Sequence, residues 1–383
     1  MSELVSVEVP LPLETDVSLP IAITDVRLDT PAVLVDLDIA EDNITRMAQY
    51  ASDSGVVLRP HTKTHKSAVM AKRQLDAGAI GLTVATSSEA QVLGVNTQAE
   101  ILIAYPLVGV RKLSRIAALV KEGRVVLTAD SLACIDRYED FANSLSRSIP
   151  VVVEVDTGTN RSGVVPAGVI EMCTYISTRE HLDFRGLMTH ANHAHQATDA
   201  QKMKDVALSE ASIMGSLRSD LEGLGFSDFM VSAGSSLTTQ FLNASQGITE
   251  VRPGTYIYND LRTFEHWSCE LSQIAATCLA TVSSSNRDRV TLDSGNKTVT
   301  VSTLKDGSFG RLRDYPDYSL RRLSEEHGVI DAPGVGEVLS IGQRVDVLPV
   351  HVCVWMDLQA QVYGTRGGQI VERIDVQGMR HSL

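Results

Sequence analysis

The chain has 383 residues, 43% hydrophobic and 21% charged, an ordinary globular balance with length enough for two domains or one large barrel with an appended module. A net charge of −13 with no basic stripe excludes a nucleic-acid footprint. The opening residues, MSELVSVEVPLPLETDV, lack the basic start and apolar stretch of a secretory signal, and no run nears the roughly 18 apolar residues of a membrane span.

Five cysteines (Cys134, Cys173, Cys269, Cys278 and Cys353) are few, odd in number and free of CxxC spacing. That argues against a disulfide framework, so a reducing cytoplasm is expected.

In chain order, β-rich runs fall at residues 32–38, 56–59, 81–85, 100–104, 124–128, 151–155, 184–189, 229–233 and 250–258. Between them lie amphipathic stretches at 39–54, 87–95, 111–122, 131–145 and 200–224. Strict alternation of this kind means βα units and a parallel sheet. Over about 230 residues it predicts a (β/α)8 TIM barrel, in the α/β class. Nine strand candidates leave one surplus, and residues 32–38 are the ones expected to pair elsewhere.

After Trp267 the helical period fades, and runs at 274–282, 289–292, 298–302, 344–348, 350–355 and 369–374 alternate or are β-branched. They predict a C-terminal antiparallel β-domain, which residues 4–9 could complete. The expected division is a barrel over 30–265 and a β-domain from 1–29 plus 266–383.

A barrel enzyme carries its chemistry at the carboxyl ends of its strands. Those ends read Lys63, Thr86-Ser87, Tyr105, Asp130, Asp156 with Arg161, His190 with His193, Gly234-Ser235 and Gly254-Thr255-Tyr256. Lys63 and Lys66 read equally as solvated charges, but a lysine just past a barrel strand is where a Schiff-base amine would be needed. Ser232-Ala233-Gly234-Ser235-Ser236 offers backbone N–H groups and hydroxyls suited to phosphate, and Arg252-Pro253-Gly254-Thr255-Tyr256 offers more beside it. Phosphate donors facing an amine suggest a phosphorylated aldehyde cofactor, pyridoxal 5'-phosphate. In the late β-rich half, His351 and Cys353 stand two apart, so in a strand both would face one side. An N and S pair suits zinc better than magnesium or calcium.

Several fragments carry a family likeness. Val155-Asp156-Thr157-Gly158-Thr159-Asn160-Arg161-Ser162-Gly163 and Gly186-Leu187-Met188-Thr189-His190-Ala191 resemble stretches of the alanine-racemase-fold (fold type III) pyridoxal-phosphate enzymes. Arg59-Pro60-His61-Thr62-Lys63-Thr64-His65-Lys66, Thr30-Pro31-Ala32 and Glu325-Glu326-His327-Gly328 resemble its D-threonine aldolase and D-serine dehydratase branch.

The resemblance implies that Lys63 holds the cofactor as a Schiff base and that Arg161 lies near its phenolic oxygen. It further implies that His190 packs at the ring and that Ser235, Gly254, Thr255 and Tyr256 surround the phosphate. Arg252 stands where the racemases set an arginine against the pyridine nitrogen, a role not carried over to this chain. His351 and Cys353 match a metal-binding His-x-Cys pair, with zinc favoured over manganese or magnesium. The chain departs from the family around that pair, with Val350 before it and Val354-Trp355-Met356-Asp357 after it.

The implied activity is that of a lyase on a D-3-hydroxy amino acid, favoured as β-elimination to ammonia and a keto acid. Retro-aldol cleavage to glycine and an aldehyde needs the same groups. A racemase would need a second base such as Tyr315 or Tyr318, and a non-catalytic cofactor carrier would be a barrel alone. The family also implies a homodimer, with a small D-amino acid as the only other partner.

Overall fold

The structure is a computed structural model that describes residues 12–380, so the candidate strand at 4–9 lies outside the described residues. Eight short strands make one parallel sheet: Val57–Leu58, Leu82–Val84, Ile101–Pro106, Val125–Ala129, Ile149–Val155, Leu182–Thr189, Met230–Ala233 and Glu250–Val251. Each lies beside the next in sequence from the second strand to the last, and the last pairs with the first through Val251 opposite Leu58. A parallel bridge between His61 and Thr83 joins the remaining edges and closes the barrel. Strands such as Val125–Ala129 are buried along their whole length, as expected for a sheet covered on both faces. Leu102, Val126, Val152 and Met188 fill the interior.

The helices bury one stripe each. In Val110–Lys121 the buried residues are Leu113, Ile116, Leu119 and Val120, spaced for one face of a 3.6-residue period. Residues 250–258 do not run on as one strand. Pro253 offers no N–H to a ladder, and the chain turns into a 3-10 turn at Thr255–Ile257.

The surplus strand does pair elsewhere. Ala32–Asp36 sits inside a second, ten-stranded sheet, antiparallel to Ala276–Asn286 and parallel to Gln361–Arg366. The other pairings of that sheet are antiparallel. Two expected strands of this half are helical instead. Residues 298–302 give way to the short helix Asn296–Val299, and 350–355 to the helix Val352–Leu358. The second helix buries Val352, Trp355 and Met356, an i, i+3, i+4 set that reads as alternation only over its first few residues. Trp355 is fully buried against Val299 and donates its indole N–H to that carbonyl, an anchor whose truncation would cost about 3–5 kcal/mol. Among the described residues, no helix is long and apolar enough to cross a membrane.

Candidate functional site

The first barrel strand leads through Arg59-Pro60 into a tight turn, Thr62–Thr64, whose middle residue is Lys63. The turn is pinned from several sides. His61 N–H donates to Pro253 O at 3.0 Å, Thr62 Oγ1 to Thr83 O at 3.0 Å, and Lys63 N–H to His61 Nδ1 at 3.3 Å. Lys63 is thus held by backbone on both flanks while its side chain enters the cavity. Enclosure lowers its pKa from the usual lysine value, and the nearby Arg161 and Arg252 push the same way against Cys353 and Glu89. Among the described residues no carboxylate forms an ion pair with it. The amine is poised as a nucleophile. Enclosure, with Lys63 beside them, also holds His61 and His190 well below the usual histidine range, so both imidazoles are neutral.

Across the mouth, Gly234 takes φ +85°, and a Cβ there would meet Thr239 Oγ1 at 2.8 Å. Only glycine allows this approach of the chain to the helical turn behind it. Ser236 Oγ accepts N–H groups from Gly254 at 3.1 Å and Tyr256 at 3.3 Å. A Cβ on Gly254 would meet His61 O at 2.9 Å, so this turn packs directly against the lysine turn. Hydroxyls, turn backbone and an amine of lowered basicity around one cavity fit a phosphorylated aldehyde. Arg252 lies in the barrel mouth, fully enclosed, and donates to Ser232 Oγ and Thr189 O. Glu250 accepts from Ser232 Oγ and from Arg59, whose Nε lies 2.8 Å away, so the guanidinium sits on a buried ionic chain. Arg161 is half exposed, 3.8 Å from Glu154.

His351 and Cys353 reach the cavity by a route other than the expected strand. His351 caps the helix Val352–Leu358, and Cys353 lies in that helix's first turn. A strand-to-helix turn rather than a β face brings them together. Thr64 Oγ1 lies 3.2 Å from Cys353 Sγ, which ties the helix to the lysine turn. Burial pushes the Cys353 thiol up, but its hydrogen bond with His351 and the positive groups around it outweigh that and bring it down. The same bond raises His351 against its own desolvation.

An imidazole nitrogen beside a thiol with thiolate character suits zinc. Among the described residues, no group of three or more His, Cys, Asp or Glu side chains could hold an ion. A metal here would therefore rest on two protein ligands and keep its other positions open, as a catalytic ion must.

Lys63, His190, Ser235, Gly254, Thr255, His351 and Cys353 share one cavity of about 320 Å³. Arg161 lines an adjoining space of about 170 Å³, and Lys63, His61, His190 and Arg252 border both. Tyr256 does not line this cavity; its backbone N–H donates to Ser236 Oγ at 3.3 Å. Its buried hydroxyl accepts from Gln74 Nε2 at 2.9 Å and lies away from the cavity. His193, paired with His190 in the strand-end reading, packs near Gly158 and Thr159, and His195 reaches the cavity instead.

Three contributors went unrecognised in the sequence: His61, His195 and Arg262. His61 follows the first barrel strand, so its position was available as a signal, whereas Arg262 lies in the short helix Leu261–Glu265 and His195 in the turn Asn192–Gln196. Lys66 is no solvated charge. It is 7% exposed and bonds Glu89 at 3.2 Å and Asp357 of the Cys353 helix.

Comparison with known proteins gives a consistent pattern. The model for "Alanine racemase, N-terminal domain" matches residues 35–261, and a serine dehydratase domain model matches residues 275–365. D-threo-3-hydroxyaspartate dehydratase of Delftia sp. (strain HT23) is 30% identical over 352 residues, spanning 86% of this chain and 92% of that protein. A mutant of a D-threo-3-hydroxyaspartate dehydratase, 26% identical to this chain, is described in a metal-free form. D-serine dehydratase of Dictyostelium discoideum is 25% identical, spanning 86% of this chain and 91% of its own. The crystal structure of D-threonine aldolase from Filomicrobium marinum superimposes with a TM-score of 0.85 at 25% identity, covering 93% of this chain and 97% of that one.

Proposed function

We propose, for a chain that belongs to the fold type III pyridoxal-phosphate enzymes of the D-threonine aldolase and D-serine dehydratase family, a lyase reaction on a D-3-hydroxy amino acid. The observation that carries this reading is the shared cavity. It sets the amine of Lys63, its basicity lowered by enclosure, in one space with the His351 and Cys353 pair, so one small substrate can meet both. Pyridoxal phosphate, when bound through Lys63, supplies an electron sink for charge developing at Cα. His351 and Cys353 would hold a divalent ion, zinc by their donor set, which supplies a Lewis acid for the β-hydroxyl.

The chain's own groups do the rest. Lys63 Nζ takes the Cα proton, and its depressed basicity suits a base working near neutral pH. The enclosed imidazoles of His61 and His190 stay uncharged and leave the amine its role. Ser235, Ser236 and the Gly254 turn orient the phosphate end, which fixes the substrate against Lys63. Loss of the Cα proton with departure of the hydroxyl gives ammonia and a keto acid, the reaction favoured by a cysteine at 353.

Loss of the hydroxyl proton with scission of Cα–Cβ gives glycine and an aldehyde from the same groups, and this is the second reading. A racemase fits less well: Tyr315 and Tyr318 stack on each other at 6.5 Å, and Tyr315 bonds Gln343 at 3.0 Å. A carrier fits less well too, since helix Val352–Leu358 adds groups to the site that cofactor storage does not need. In solution the proposal includes a homodimer.

The test is product identification from D-serine and D-threonine with the metal-loaded holoenzyme. Pyruvate or 2-oxobutyrate with ammonia supports elimination, and glycine with an aldehyde supports cleavage. Failure to form either pair of products would sink the lyase assignment.

A further inference from the structure

Three guanidinium groups border the site, and two have partners inside the protein. Arg252 is engaged with Ser232 and Thr189 beside Glu250, and Arg161 lies against Glu154. Arg262 differs. It is partly buried in the 320 Å³ cavity, and among the described residues no carboxylate forms an ion pair with it. The one side-chain hydrogen bond found for its guanidinium is a long one, 3.5 Å from Nη1 to His351 Nδ1.

Asp260, two residues back, is spent elsewhere. Its Oδ1 caps Thr263 N–H at 2.8 Å, and its Oδ2 accepts Val352 N–H at 3.1 Å. A guanidinium facing a cavity with open donors is a carboxylate receptor awaiting its anion.

Its location says which carboxylate. Arg161 borders the inner space beside Lys63 but not the outer one, whereas Arg262 borders the outer space beside His351 and Cys353 but not the inner one. A substrate whose nitrogen took the place of Lys63 Nζ and whose β-hydroxyl reached the His351 and Cys353 pair would bring its other Cβ substituents to the His351 side, where Arg262 stands.

We infer that Arg262 binds a second carboxylate carried on Cβ, so that the preferred substrate is a dicarboxylic D-3-hydroxy amino acid of the 3-hydroxyaspartate type. The inference rests on the lyase reading for its substrate frame. The Arg262 contact itself can be measured without turnover. Arg262 is therefore a specificity residue, and it explains how a protein with a net charge of −13 would still favour a doubly anionic substrate.

The experiment compares the holoenzyme with its Arg262→Leu and Arg262→Lys variants. The substrates are D-threo- and D-erythro-3-hydroxyaspartate against D-serine, and calorimetry follows binding of D-malate and D-lactate, which lack the amine. The wild type is expected to bind D-malate at least about tenfold more tightly than D-lactate, a preference that Arg262→Leu abolishes. In kcat/KM, Arg262→Leu lowers the ratio of the better 3-hydroxyaspartate to D-serine by about 10- to 100-fold, mainly through KM, with Arg262→Lys falling between.

An equal loss on all substrates would overturn the inference, because it would assign Arg262 to the carboxylate on Cα. Equal affinity for D-malate and D-lactate in the wild type would overturn it too. If no amino acid turns over, the lyase reading fails while the malate comparison still decides the Arg262 contact.

Discussion

Replacing Lys66 with methionine keeps the length of the side chain and removes the cation that joins barrel to helix. Lys66 Nζ lies 3.2 Å from Glu89 Oε1 and also bonds Asp357 Oδ1, with Glu89 2% and Asp357 31% exposed as side chains. Removing one partner from a buried ion pair costs about 3–5 kcal/mol, because the other charge stays behind unpaired. Glu89 keeps the Ala85 N–H at 2.8 Å, and Asp357 keeps the Arg380 N–H at 2.9 Å and some solvent. The loss should therefore fall at the lower end, about 3 kcal/mol. Urea denaturation followed by circular dichroism measures it.

A second effect follows from geometry. Asp357 stands one helical turn beyond Cys353 on the same face, so freeing it loosens the thiol's position. Metal affinity, read by competition with a chromophoric chelator, should weaken about tenfold. A loss below about 1 kcal/mol with unchanged metal affinity would refute the reasoning and reduce the triad to the worth of a surface pair.

Lys63→Ala should lose the visible absorbance of reconstituted protein and lower kcat by a factor of about 1000 or more, checked by spectrum and product assay. His65, fully enclosed, is lowered by burial to about 4 despite its bonds to Gln74 and Ser67. Its neutral form stabilises the fold above the unfolded value of 6.5, and that contribution is lost as pH falls from 6.5 toward 4. It amounts to about 3 kcal/mol, so a His65→Gln variant should show a flatter decline of Tm with pH over that window than the wild type. Gly254→Ala would set a Cβ 2.9 Å from His61 O, and fluorescence titration should show weaker cofactor binding with the overall fold kept.

Much of the barrel was legible because buried parallel strands are short β-branched runs, and these are hard to mistake between amphipathic helices. Val125–Ala129 and Ile149–Val155 appear in the sequence within a residue or two of their observed bounds. The helix carrying Cys353 was not legible. His351-Val352-Cys353-Val354 alternates like a strand, and only the later Trp355 and Met356 reveal the helical stripe. Arg262 and Lys66 were illegible for a different reason. What each does depends on partners far along the chain, His351 for Arg262 and Glu89 with Asp357 for Lys66, and local spacing carries no trace of those. Tyr256 shows the converse: its motif pointed to the phosphate, but tertiary packing turned its hydroxyl to Gln74.

The strand Ala32–Asp36 has a further effect on how the site can be entered. Asp36 is the last residue of that strand, and its carboxylate also caps the next helix by accepting N–H from Asp38 and Ile39. That helix, Leu37–Asp53, is fastened to the barrel where Tyr50 donates to Thr239 O and Leu242 O. A swing of the β-sheet away from the barrel would have to act on this residue, as well as on the second crossing before Ala276 and on the Lys66–Asp357 pair. It would have to break a helix cap or tear a strand from neighbours on both edges. Without such a swing, ligand exchange would pass rim side chains such as His195 and Arg262, which line the cavity.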